Sequence, residues 1–242
     1  MELSTSSRNN FSTGVDITSL FTTFKNSLDE HYARRERIIK CSRDITIQSK
    51  NLITFAQRIT PKTLNSSIEK SATTKQEILK LFKDISVELQ GVNYYSDSLQ
   101  EYIEAMSLLE YLHNRKLLDK IKDVDNDFKD ENGTQFLQVT NEDYLLGVAD
   151  LSGELMRYAT NCIGRGDHDF ASIIGRFLRD LKSDYEIIAH NKYFGRKLEV
   201  MKQNLNKVED VCYAIKIRGS EYPKEFYQHI VAEHTKRFEE TD

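Results

Sequence analysis

The fold of this chain is decided by the stretch Ile38-Ile-Lys-Cys-Ser-Arg-Asp-Ile-Thr-Ile-Gln-Ser-Lys-Asn-Leu-Ile-Thr-Phe-Ala-Gln-Arg-Ile59. Its apolar and small side chains recur every three or four residues, which is the period of one face of an α-helix. The positions on that face are Ile38, Cys41, Ile45, Ser49, Leu52, Ala56 and Ile59. Pro61 ends the helix, because the residue before a proline is pushed out of helical geometry.

Upstream, the same spacing continues through Leu20, Phe24 and Leu28. The sequence therefore predicts a first helix over residues 16–59, either continuous or broken near Leu28. Such a length is typical of a helical bundle or a coiled coil. Residues 1–15 are rich in Ser, Thr and Asn, and we expect them to form a disordered tail.

Residues that interrupt helices are scarce in the whole chain. It has 2 prolines and 10 glycines among 242 residues, whereas about 12 prolines would be usual at a frequency of about 5%. No alternating strand pattern is present, so a sandwich or barrel is excluded. No apolar run approaches the ~18 residues of a membrane-spanning helix, and we expect no membrane association.

Apolar periodicity and cap residues divide the rest of the chain into six further helices. Thr140 and Asp167 are expected N-caps, Gly91 and Gly219 mark helix ends, and Pro223 suits a first turn. The predicted helices cover residues 63–89, 93–118, 140–163, 167–190 and 194–217, and a last one runs from 223 to near the C-terminus.

Between two of these helices, residues 119–134 contain six acids and three lysines. This composition predicts an acidic, mobile loop. Apart from the tail, the chain is thus expected to form one all-α domain over residues 16–242. The domain would be a single bundle of seven long antiparallel helices.

The overall charge is −4, from 34 Lys and Arg against 38 Asp and Glu, so a wholly basic nucleic-acid coat is excluded. Basic residues nevertheless cluster on the first helix. They bind either an RNA backbone or, as a second interpretation, only solvent and neighbouring acids. The cluster consists of Arg34, Arg35, Arg37, Lys40 and Arg43. The lysines and arginines of residues 192–218 allow the same two interpretations.

Two pairs of acids lie at helical spacing. Glu101 and Glu104 share a face of the third helix, and Asp150 and Glu154 share a face of the next long one. Gly147 lies on that second face, which indicates that another helix or a ligand approaches closely. Converging carboxylates would hold Mg²⁺ or Mn²⁺. Alternatively, the first pair is solvated and Glu154 pairs with an arginine three residues on.

Several of these segments resemble a known family. They are Arg34-Arg-Glu-Arg-Ile-Ile-Lys-Cys-Ser-Arg-Asp-Ile-Thr-Ile-Gln-Ser-Lys50, Leu99-Gln-Glu-Tyr-Ile-Glu-Ala105, Asp143-Tyr-Leu-Leu-Gly-Val-Ala-Asp-Leu-Ser-Gly-Glu-Leu-Met-Arg157 and Lys207-Val-Glu-Asp-Val-Cys-Tyr-Ala-Ile-Lys-Ile-Arg-Gly-Ser-Glu-Tyr-Pro-Lys224. Over residues 21–224 the chain is similar to the translin family, and within it to the associated-factor X branch.

The resemblance implies a seven-helix bundle that assembles with translin, as a hetero-octamer, to bind single-stranded RNA and single-stranded DNA. The associated-factor subunit is the catalytic one, a Mg²⁺-dependent endoribonuclease. Such complexes remove passenger-strand fragments in RNA silencing or process tRNA-derived fragments. The alternative is a non-catalytic subunit that stabilises translin and contributes to a nucleic-acid-binding assembly.

The resemblance also implies a catalytic role for each of the four acids. Glu104 and Glu154 would bind Mg²⁺ directly, Asp150 would bind it or orient the attacking water, and Glu101 would complete the shell. Translin lacks this full acidic set, which favours the associated-factor branch. We expect a cytoplasmic protein that also enters the nucleus. The short tail lacks the basic localisation cluster of vertebrate members, so nuclear import would depend on a partner.

Overall fold

The computed structural model describes residues 17–89 and 94–218, with no side-chain description for Arg218. Within these ranges the chain forms seven α-helices and no strand, only an isolated bridge between Lys129 and Gln135. The all-α class is therefore confirmed. The helices are α1 (Ile17–Ala56), α2 (Leu64–Ser86), α3 (Ser96–Asn114), α4 (Asp125–Asp127), α5 (Asn141–Gly164), α6 (His168–Glu186) and α7 (Lys192–Arg218), and a π-helical turn (Lys120–Val124) leads into α4.

The six long helices match the predicted ones to within about one helical turn at each end. Helix α1 runs without a break past Leu28 and ends at Ala56. The Thr140 hydroxyl accepts the backbone N–H of Asp143 at 3.0 Å, which confirms the first predicted N-cap. Asp167 caps α6 in the same way. The predicted tail, the caps at residues 91 and 219 and the helix from residue 223 lie outside the described residues.

Helix α5 lies at the centre of the bundle, where it packs against α3, α6 and α7, while α1 covers α2 and α3. Gly147 permits a close approach of α5 to α3. A Cβ added there would lie 2.8 Å from both the Gln100 carbonyl oxygen and the Ile103 Cβ. The helix approach that the sequence predicted at this glycine is therefore present, and it brings the acid-bearing helices α3 and α5 together.

The acidic stretch 119–134 is not the mobile loop that its composition predicted. Phe128 is fully buried and packs edge-to-face on Phe82 and Tyr102, with ring centroids 5.2 and 5.7 Å away. The Tyr102 hydroxyl donates to Asp127 at 2.8 Å, and Lys75 pairs with the same carboxylate. The prediction was wrong because it counted charges and overlooked the apolar side chains between them, which anchor the segment to α2 and α3.

The first part of α1 extends away from this packing. All of residues 17–33, here called the α1 arm, are exposed, and the first buried side chain of α1 is that of Ile38. The arm carries large apolar side chains at helical spacing, here called the α1 stripe. Its members are Ile17, Leu20, Phe21, Phe24, Leu28 and Tyr32. No helix of residues 17–89 and 94–218 is both long and apolar enough to cross a bilayer.

Candidate carboxylate site

The four acids that the sequence singled out line one cavity of about 470 Å³. Helix α3 contributes Glu101 and Glu104, and α5 contributes Asp150 and Glu154; side chains of α1 and α7 complete the wall. The acids converge because Gly147 allows α3 and α5 to approach and because each pair shares one helix face. Their catalytic and metal-binding roles remain predictions.

Glu104 is the acid most affected by this environment. Burial raises its pKa to about 8, and the negative charges of Asp150, Glu154 and Glu101 add to the effect, while Lys197 opposes it. In the absence of a further cation, its carboxyl therefore holds a proton at neutral pH. A cation bound nearby would favour the ionised form.

The other three acids are paired with cations of the chain. Lys197 lies 2.5 Å from Asp150, and Lys50 lies 3.2 Å from Glu101. The third pair joins Arg157 to Glu154 at 2.9 Å. This last contact is the one that the alternative interpretation of the sequence expected. Glu101 is not part of a freely solvated face, because its side chain is only 26% exposed.

Two sets of hydrogen bonds connect the elements that surround the acids. The amide of Gln57, the residue that follows α1, donates to the Glu154 carboxylate and to its backbone carbonyl, both at 2.8 Å, and so connects the end of α1 to α5. On the other side, the Asn204 amide donates to the Ser152 hydroxyl at 3.0 Å and connects α7 to α5. Gln57 was not predicted as a site residue, since nothing in the local pattern distinguishes it from the polar residues of the preceding helix.

The donor set suits a hard divalent cation by type, because carboxylate oxygens are the ligands that Mg²⁺ and Mn²⁺ prefer. The clustered negative charge around Glu104 also favours one. In the described ranges, however, no three His, Cys, Asp or Glu side chains are gathered closely enough to hold an ion in their present orientations. Binding would therefore require the side chains of these ion pairs to rearrange.

The predicted basic cluster lies elsewhere on α1 and does not line the carboxylate cavity. Arg34 donates through Nε to the Glu88 backbone carbonyl at 2.8 Å, and Arg37 donates to the Glu88 carboxylate at 3.0 Å. These two arginines thus connect α1 to the chain just beyond α2. Their predicted contact with nucleic acid is an additional role that this geometry does not test.

The remaining members of the cluster are exposed. The Arg35 guanidinium lies over the Tyr94 ring, 5.5 Å from its centroid, and Lys40 and Arg43 face solvent along α1. An arginine above an aromatic ring and two exposed cations provide a surface that phosphates could reach. For these three residues, nucleic-acid binding stays a prediction.

Comparison with known proteins agrees with this architecture. The model of the translin family matches residues 33–219. Translin-associated protein X of Pongo abelii is 37% identical over 231 residues, which cover 84% of this chain and 80% of that protein. Translin of Gallus gallus is 23% identical over 216 residues, covering 85% and 94%. The solved complex of AfC3PO with duplex RNA has a TM-score of 0.65 at 18% identity and covers 84% of this chain and 99% of that one.

Proposed function

The chain belongs to the translin family, and from this premise we propose that it is the catalytic subunit of a metal-dependent endoribonuclease that it forms with translin. One observation carries the proposal: Glu101, Glu104, Asp150 and Glu154 line a single cavity. The similarity to translin-associated protein X, at 37% identity, supports the choice of this branch over translin, at 23%.

The proposed substrate is single-stranded RNA, either a passenger-strand fragment or a tRNA-derived fragment. The related fold of AfC3PO was solved with duplex RNA, which supports RNA as the class of polymer. Exposed cations at the cavity rim, those of Lys50 and Arg157, are suited to phosphate oxygens. Single-stranded DNA would bind the same surface.

The acids would divide the work at the phosphodiester. Glu104 and Glu154 would hold Mg²⁺, or Mn²⁺ in its place, with Glu101 completing the shell. The bound ion would supply charge stabilisation at the phosphate and a lower pKa for a coordinated water. Asp150 would bind the ion as a further ligand or accept a hydrogen bond from the attacking water and orient it. Hydrolysis joins the water oxygen to phosphorus and breaks a phosphorus–oxygen bond of the strand. The water gives up one proton in this step, and the departing oxygen takes one up, so that no net proton is gained or lost between them.

Translin is the proposed partner, in a hetero-oligomer that we take to be an octamer. The family comparisons support a translin partner, since the chain resembles both kinds of subunit. The α1 stripe supports a protein partner independently, because a contiguous apolar surface of this kind marks an interaction site. A cytoplasmic location with entry into the nucleus is proposed as well. The three cysteines are unpaired thiols, as suits a reducing compartment.

A non-catalytic role is the second candidate, and the ion pairs favour it. Lys197, Lys50 and Arg157 each neutralise one acid of the cavity, so the site is largely charge-compensated by the chain itself. In this interpretation the acids hold α1, α3, α5 and α7 together. The chain would then stabilise translin and contribute only to RNA binding.

One experiment separates the two candidates. The chain would be co-expressed and co-purified with translin, and cleavage of a labelled single-stranded RNA measured with Mg²⁺ and with a chelator. The catalytic proposal requires cleavage with Mg²⁺ that stops in the chelator. Binding of the RNA without any cleavage in Mg²⁺ or Mn²⁺ would contradict it and favour the non-catalytic role.

A further inference from the structure

The three cations at the carboxylate cavity differ in how deeply they are placed. The side chains of Lys50 and Arg157 are 61% and 68% exposed, so they reach their acids from the solvent side. The side chain of Lys197 is only 28% exposed and lines the cavity wall beside Asp150. Lys197 is thus the one cation of these three that lies mostly within the cavity.

The packing of α7 on α5 sets the position of Lys197. Asn204 lies seven residues further along α7, on the same helix face, and its amide donates to the buried Ser152 hydroxyl of α5. This contact fixes how α7 is rotated and aligned along α5. Lys197 therefore lies opposite Asp150, with its Nζ 2.5 Å from the Oδ1 atom.

We propose that Lys197 is the internal counter-cation of this cavity. Its ammonium pairs with the Asp150 carboxylate when no divalent ion is bound and competes with the ion for that carboxylate. Once the ion displaces it, the ammonium contacts a phosphate oxygen of the RNA strand. This inference rests on the proposed function, since it assumes that a divalent ion binds among the four acids.

Electrostatics requires the competition. An ammonium and a divalent cation repel each other, and in a partly buried site this repulsion is screened less than in water. A divalent ion bound at the Asp150 carboxylate therefore weakens the ion pair with Lys197 and favours displacement of the ammonium. A lysine is suited to such a move, because its charge is compact and its four-carbon stem is flexible.

The freed ammonium would remain useful in the cavity. The displaced Nζ remains near the cavity, because the side chain of Lys197 extends from the cavity wall. The RNA phosphate must lie in the same cavity if the acids are to act on it. A phosphate oxygen then replaces the Asp150 oxygen as its partner in a charge-assisted hydrogen bond. Lys197 would act as a positioning residue for the substrate, and the loss of its charge should appear mainly in KM.

The test measures Mn²⁺ affinity of the complex with translin by calorimetry, without RNA. Lys197→Met should bind Mn²⁺ on the order of tenfold more tightly than the unmodified protein, because a competing charge has been removed. It should also raise KM for single-stranded RNA. If Lys197 had only a structural role, its loss would instead weaken the binding of Mn²⁺.

Lys182→Met is the matched control. Lys182 lies on α6, outside the cavity lining, pairs with Glu186 at 2.8 Å, and its side chain is 25% exposed. Its loss removes an ion pair of similar burial and should leave Mn²⁺ affinity unchanged. If Lys197→Met does not assemble with translin, Lys197→Arg decides instead. A guanidinium binds a carboxylate with two hydrogen bonds and should weaken Mn²⁺ binding several-fold.

The outcomes distinguish this inference from the function on which it rests. If the unmodified complex binds Mn²⁺ through Glu104, but neither Lys197→Met nor Lys197→Arg changes the affinity, the counter-cation is refuted and the metal site stands. Weaker Mn²⁺ binding by Lys197→Met would refute it too. If no variant binds Mn²⁺ and the unmodified complex does not either, both the inference and the proposed metal site fail.

Discussion

Gly147 and Ile103 bring helices α5 and α3 into contact with no space for another carbon atom between them. A Cβ at residue 147 would lie 2.8 Å from the Ile103 Cβ, closer than real Cβ atoms approach one another. The two helices carry the four acids of the cavity. The spacing at Gly147 therefore determines whether those acids face a common space.

Gly147→Ala should destabilise the protein by about 1–3 kcal/mol, because the added methyl group overpacks the contact between the helices. Gly153→Ala is the matched control on the same helix. A Cβ there would meet only the Asn204 amide nitrogen, at 3.7 Å. It should be neutral or stabilise by up to about 1 kcal/mol, since alanine favours a helix over glycine. Thermal or urea unfolding of both variants measures the difference, and equal stabilities would contradict the close approach.

Without a metal ion, the stability of the protein should fall as the pH rises from about 5 to about 8. The pKa of Glu104 rises from 4.5 to about 8 in the folded chain. Between these values the folded chain holds a proton that the unfolded chain has released, so raising the pH favours unfolding. Melting temperatures in chelator across this range measure the slope.

Glu104→Gln should flatten that slope and raise the melting temperature at pH 8, because the amide cannot ionise. Glu110→Gln is the control, since Glu110 is on the same helix and does not line the cavity. A profile of Glu104→Gln as steep as that of the unmodified protein would show that Glu104 does not carry the pH dependence.

The α1 stripe should be needed for assembly and not for folding. Phe24→Ser combined with Leu28→Ser removes two side chains that are 53% and 55% exposed. If a partner covers them, each contributes roughly 1.5–3 kcal/mol to binding. The double variant should therefore keep its melting temperature but fail to form the complex with translin in size-exclusion chromatography with light scattering.

Lys25→Ser with Asp29→Ser is the control for that variant. These residues have the same four-residue spacing on the arm and form an exposed ion pair at 3.6 Å. Their substitution removes two charges and leaves every side chain of the α1 stripe in place. We expect it to assemble normally. Normal assembly of both double variants would show that the partner does not bind the stripe.

Arg43 should contact the RNA backbone. Arg43→Ala should weaken RNA binding and reduce the dependence of log affinity on log salt by about one, the value for one lost phosphate contact. Arg179→Ala is the control, because this exposed arginine of α6 pairs with Glu209 and lies on a different helix. A salt dependence of Arg43→Ala identical to that of the unmodified protein would count against phosphate contact at this position.

Local sequence patterns predicted most of the helices but few of the contacts inside the carboxylate cavity. Thr140 caps a helix through a neighbour three residues away, so the sequence pattern shows it directly. Gly147 signalled a close approach but not which helix makes it. The pairing of Lys197 with Asp150 spans 47 residues and depends on how α7 aligns along α5, which no local spacing determines.

The assignment of the acids needed more than their spacing. Helical periodicity placed each pair on one face, whereas their convergence depended on the packing of α3 on α5. The family resemblance, not the periodicity, singled out these acids among many at similar spacing. Phe128 is an example in which local composition misled. The acids around it predicted a mobile loop, but the burial of its ring holds the segment against the bundle.

The central claim, that the cavity is a metal-dependent ribonuclease site, is tested most directly at Glu104. Single-turnover cleavage of single-stranded RNA with Mg²⁺ would be compared among the unmodified complex, Glu104→Gln and Glu110→Gln, all assembled with translin. We predict a loss of at least about a hundredfold for Glu104→Gln, in line with the removal of an essential catalytic group, and none for Glu110→Gln. Undiminished cleavage by the Glu104→Gln complex would contradict the account.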